Sequence, residues 1–134
     1  MRPLLAWFEQ RGFTVMETTK PSDLVDLQSR VVLYQKKASR ATVVSTLLHE
    51  AGHVLLYLNR RRAPTKAVAG MTWRRFWRST RRSRDGDLRL LQEEIAAWDR
   101  GWALGQRLKL RVARRTYDQH RTRCLMTYVR WAAK

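Results

Sequence analysis

The stretch Leu47–Leu58, LLHEAGHVLLYL, constrains this chain more than any other. Apolar residues flank His49, Glu50 and His53 on both sides, which predicts a buried helix running from about Ala41 to about Asn59. Residues four apart share a helix face, so His49 and His53 can aim their imidazoles at one point. This H-E-x-x-H spacing suits Zn²⁺, with Glu50 placed as general base on a metal-bound water. The alternative is a chance match in which the three buried polar groups satisfy one another. A metal would satisfy all three together.

A second helix is predicted from about Asp87 to about Lys109. Leu90, Leu91, Glu94, Ala97, Trp98, Gly101, Leu104, Gly105 and Leu108 fall on one continuous face at helical spacing. A carboxylate on such a face is costly unless something pairs with it. Glu94 is on the face, whereas Glu93 falls off it and is expected to be solvated. The small residues Ala97, Gly101 and Gly105 predict close approach of another helix. Glu94 is therefore the expected partner of the His helix, with pairing to an arginine as the alternative. His49, His53 and Glu94 form a three-ligand set that leaves a fourth position for water, the catalytic rather than the structural arrangement. A structural site would favour four protein ligands, and Cys124 is the single cysteine.

Elsewhere the pattern is plainer. Residues 1–12 read as a short helix stopped by Gly12, Phe13–Met16 as β-prone, and Thr18–Asp23 as a turn around Pro21. Arg30–Gln35 is the best strand, and Ser39 is an N-cap candidate for the His helix. Arg84–Asp87 reads as a turn. Thr116–Lys134 can form a helix with Tyr117, His120, Cys124, Tyr128 and Trp131 on one side. One cysteine excludes an internal disulfide and fits a reducing compartment. No opening segment reads as a signal peptide, and no run of about 18 apolar residues occurs. The expectation is a cytoplasmic protein of one compact domain without a transmembrane segment.

The net charge is +17, with 28 Lys+Arg against 11 Asp+Glu. It is uneven: +2 over residues 1–59, +9 over 60–89, −2 over 90–106 and +8 over 107–134. Such patches favour polyanions, whether DNA or RNA, an anionic membrane or an acidic partner. Within 60–89, Trp73, Phe76 and Trp77 fall at helical spacing, interleaved with Arg74, Arg75, Arg78, Arg81 and Arg82. The plain reading is an apolar stripe with a solvated arginine face. The functional reading is a surface on which bases stack and phosphates meet guanidinium groups.

With LLHEAGHVLL followed by a helix reading EEIAAW, the chain resembles the gluzincin class of zinc metallopeptidases. It is most similar to small members of the ImmA/IrrE and SprT-like kind. The likeness spans roughly residues 30–110, and its specific part is the H-E-x-x-H element. It implies an α+β zincin-like domain with a short β-element, an active-site helix, a third-ligand helix and a C-terminal helix. Residues 60–89 would be a basic insertion between the ligand helices. It implies His49, His53 and Glu94 as zinc ligands and Glu50 as the base. Trp98 stands where some gluzincins carry an acidic residue that orients a ligand histidine, and Asp99 lies one step further round. Tyr57, Tyr117, His120 and Tyr128 are candidates for stabilising the transition state. The expected function is zinc-dependent peptide hydrolysis on a protein or peptide substrate. The resemblance suggests that the substrate backbone adds to Val31–Gln35 as an edge strand. The alternatives are a non-catalytic nucleic-acid-binding accessory protein with a vestigial or structural zinc site and, more weakly, a protein acting on anionic membranes.

Overall fold

A computed structural model describes residues 1–19, 24–60 and 84–133. Helix α1, Arg2–Gln10, forms where Leu4, Trp7 and Phe8 recur at helical spacing, and all three are buried. Gly12, at φ 78°, turns the chain out of the helix and delivers Phe13 to the core. Strand β1, Thr14–Thr18, follows, then β2, Leu24–Asp26, and β3, Val31–Gln35. Asp26 closes the β2–β3 turn by accepting the backbone N–H groups of Gln28 and Ser29, each at 3.0 Å.

The sheet order is β1-β3-β2, with β1 parallel and β2 antiparallel to β3. This corrects one expectation. Val31–Gln35 is the central strand, paired with β1 along its whole length and with β2 over residues 31–33, so over residues 31–33 it has no free edge for a substrate to join. Among the described residues the edges are β1 and β2. Three residues ending in an aspartate gave no periodicity from which β2 was legible.

Helix α2, Arg40–Arg60, starts as the sequence suggests: Ser39 Oγ accepts the Thr42 N–H at 3.2 Å. Helix α3 spans Arg84–Arg107, so the expected turn at Arg84–Asp87 is already helical. Asp87 in the first turn suits a helix N-terminus. Helix α4 spans Arg114–Ala132. The molecule is thus α+β, four helices and a three-stranded sheet among the described residues. No described helix is long and apolar enough to cross a membrane.

The core joins Leu4, Phe8 and Phe13 to Val25 and Val32 of the sheet, Leu47, Leu48 and Val54 of α2, Trp98 and Leu104 of α3, and Tyr117 of α4. Each large apolar side chain so buried contributes roughly 1.5–3 kcal/mol. The tightest approach is α2 on α3. A Cβ at Gly52 would fall 1.8 Å from the Ala97 carbonyl oxygen, and one at Gly101 would fall 2.2 Å from that of Leu48. The two backbones touch because both positions lack side chains. Gly101 and Ala97 were readable as an approach surface; the matching Gly52 lies inside the His motif.

Candidate metal centre

The α2–α3 contact brings the motif and the carboxylate together. Gly52 against Ala97 sets the crossing, and one turn away His49 and His53 face Glu94, which is fully buried. His49 Nε2 lies 2.7 Å from Glu94 Oε2, and His53 Nε2 lies 3.1 Å from Glu94 Oε1. The two Nε2 atoms are 3.0 Å apart. One ligand atom from each residue fits within 4.8 Å of the others. Burial by itself raises the Glu94 carboxyl, but His53 and His49 outweigh it and hold the group below the ordinary carboxylate range. The group is an ionised acceptor, and no described arginine pairs with it.

Hydrogen bonds alone serve this cluster poorly. If both Nε2 atoms carry protons toward Glu94, two N–H groups face each other at 3.0 Å; if one gives up its proton, one contact to Glu94 loses its donor. Glu94 Oε1 lies 3.1 Å from His53 Nε2, and the Tyr128 hydroxyl also hydrogen-bonds the Glu94 carboxylate. A cation at the meeting point satisfies two imidazole lone pairs and a carboxylate at once, so His49, His53 and Glu94 can hold a metal ion.

The cluster sits on the floor of a cavity of about 590 Å³, a size usual for ligand pockets. Glu50 lines it, with Oε1 3.6 Å from His49 Nδ1. The indole of Trp98 stacks on the His49 ring, centroids 4.3 Å apart and planes 8° from parallel. Stacking thus fixes the plane of the His49 ring. Asp99 turns outward and pairs with Arg121 at 3.1 Å. Edge strand β2 reaches the cavity through Val25, and α4 closes the other side with His120, Arg123, Cys124, Thr127 and Tyr128.

The four stabiliser candidates separate. His120 and Tyr128 line the cavity. Burial, then the Glu94 carboxylate, raises the Tyr128 phenol above its ordinary range, so it stays a proton donor. Burial, then Arg123, lowers the His120 imidazole. Tyr117 does not reach the cavity: it is buried, and its hydroxyl donates to the Trp98 carbonyl at 2.6 Å. Tyr57 packs against the core from α2 and is not in the cavity lining. Glu93, expected in solvent, is half-buried. Arg74, Arg75, Arg78, Arg81 and Arg82 lie outside the described residues.

Val25, Thr42, Thr46, Arg123, Cys124 and Thr127 also line the cavity and were not legible as site residues in the sequence. Cys124, whose Sγ lies 3.9 Å from Glu94 Oε2, shared a predicted helix side with His120 and Tyr128, which was the available signal. Arg123 is one of 28 basic residues and carried no distinguishing mark. Val25 belongs to a strand too short to detect. No protein-family model matches the chain, and neither a curated protein nor a solved structure matches it significantly.

Proposed function

We propose that this chain is a zinc-dependent metallopeptidase with a zincin-like domain, acting in the cytoplasm on a protein or peptide substrate. The observation that carries the reading is a buried His₂Glu cluster on a cavity floor with the Glu50 carboxylate opening into the same space. Zinc fits the donor set, and when bound it supplies Lewis acidity toward a carbonyl and a lowered pKa for water. His49, His53 and Glu94 would hold it, and Trp98 fixes the plane of His49. Glu50 takes a proton from the attacking water and returns it to the leaving amine. His120, across the cavity, and Tyr128, whose hydroxyl would have to leave the Glu94 carboxylate, are candidates to donate to a developing oxyanion. The substrate backbone has β2 as its available edge strand beside the cavity, in place of β3.

The test is a pair of measurements on one protein. Purified chain should carry about one zinc and cleave peptides from a diverse mixture, read by mass spectrometry. Glu50→Gln should keep the zinc and lose the cleavage, because only the proton transfer is removed. Cleavage surviving in Glu50→Gln would sink the assignment.

A second reading draws on one observation, the Cys124 thiol near Glu94. A fourth protein ligand would make the site closed and structural. Against this, the described residues whose ligand atoms converge are His49, His53 and Glu94, and the Cys124 thiol is not part of that group. Cys124→Ser should therefore leave zinc content unchanged; its loss would favour the structural site and the accessory-protein function.

A further inference from the structure

Among the described residues, the cavity lining has two carboxylates, Glu50 and Glu94, both beside the candidate metal centre on its floor, and one arginine, the exposed Arg123 of α4. Two other α4 arginines are neutralised, and of the three that are not, Arg115, Arg123 and Arg130, only Arg123 is among the described residues lining this cavity. Arg114 pairs with Asp118 at 3.1 Å, and Arg121 pairs with Asp99 at 3.1 Å. The Arg123 guanidinium makes no hydrogen bond or ion pair with any described residue; its backbone lies within α4, where its carbonyl also accepts the Thr127 hydroxyl. Its neighbours in the lining, His120 and Thr127, add polar atoms on the same wall. An unpaired guanidinium with five donors, lining a cavity whose acidic groups lie beside the candidate metal centre, is built to take an anion with planar oxygens.

The geometry points to a carboxylate-bearing peptide as the occupant of this cavity, with Arg123 binding that carboxylate and so setting which peptides are accepted. The carboxylate comes either from an Asp or Glu side chain near the scissile bond or from the C-terminus of the peptide. This rests on the peptidase reading for the identity of the ligand, while the anion site itself does not need turnover.

The experiment uses the full chain, zinc-loaded and carrying Glu50→Gln so that nothing is cleaved. Three alanine-based pentapeptides with a neutral coumarin label are titrated by fluorescence anisotropy. One has a central Glu and an amidated end, one has a free C-terminus, and one is amidated and uncharged. At least one carboxylate peptide should bind about tenfold tighter than the uncharged one, the scale of a charged hydrogen bond. Arg123→Gln should erase that preference and Arg123→Lys should restore part of it. Arg115→Gln, which removes the same charge from the same helix outside the cavity, should leave it intact. Which carboxylate peptide wins separates an acidic side chain from a chain end. Equal binding of all three, no binding at all, or equal losses in Arg115→Gln and Arg123→Gln would overturn the proposal. Cleavage by the chain with Glu50 intact is scored separately. Hydrolysis without carboxylate preference defeats this inference alone, and carboxylate preference without hydrolysis defeats the peptidase reading alone.

Discussion

At the scale of single residues, Glu94 carries the metal centre. It is a fully buried carboxylate with two imidazoles as partners, and an amide in its place keeps the shape while losing the charge and one oxygen. Glu94→Gln should weaken zinc binding by more than the roughly 10–100-fold typical of losing a ligand's supporting partner. Glu93→Gln should not weaken it. A competition titration against a chromophoric chelator decides; the opposite order would mean that the third ligand is misassigned. Zinc affinity should also fall in acid, because both imidazoles must be deprotonated to bind. Tyr117 has a different role. Its hydroxyl holds the Trp98 carbonyl and its ring meets the Trp98 indole edge-on at 5.2 Å, so it buttresses the residue that buttresses His49. Tyr117→Phe leaves that buried carbonyl without its donor and should cost about 1–2 kcal/mol. Burial raises the Tyr117 phenol in the folded state, so the neutral form is the one the fold favours. Its contribution is therefore complete below the unfolded value of about 10 and is lost as pH rises beyond it. Denaturant melts across that alkaline range should show a shallower loss of stability in Tyr117→Phe than in the parent.

At the scale of elements, the crossing of α2 on α3 decides whether the ligands meet. Gly52 and Gly101 stand against backbone carbonyls, which cannot rotate aside as a side chain can. Gly101→Ala should therefore force the helices apart, at a cost of about 1–3 kcal/mol or more. It should weaken zinc binding as well, although Gly101 is two turns from Glu94. A thermal melt and a zinc titration on the same variant test both halves; lost stability with unchanged zinc affinity would show that the ligands adapt to a shifted helix. Much of this arrangement was legible in the chain. The 3.6-residue period put Glu94 on the face and Glu93 off it, and the small residues on α3 announced a close neighbour. What stayed hidden was non-local. Strand β2 has three residues and exists because β3 offers it a partner, so its sequence has no period of its own. The central place of β3 depends on that same pairing. Trp98 read as a core residue, and only the packed structure lays its ring on His49.

At the scale of the molecule, the charge of +17 poses the remaining question. A surface so basic attracts any polyanion, so binding alone says little, and its salt dependence says more. Each phosphate contact contributes about −0.9 to the slope of log affinity against log salt on duplex DNA, and about −0.7 on a single strand. Helix α4 divides its arginines into two kinds. Arg114 and Arg121 already have carboxylate partners, so a phosphate must compete for them. Arg115, Arg123 and Arg130 are exposed, and no described residue pairs with them. If α4 tracks a duplex, replacing those three with Gln should flatten the slope by up to about 2.7, whereas replacing Arg114 and Arg121 should flatten it by less than the 1.8 expected of about two free contacts. Replacing Arg74, Arg75, Arg78, Arg81 and Arg82 measures the other basic segment in the same way. Zinc content should stay constant throughout, since none of these residues is a ligand. No binding to DNA or RNA at low salt would remove nucleic acid as a partner. The exposed arginines would then be left to act on acidic peptides, with Arg123 the one that lines the cavity.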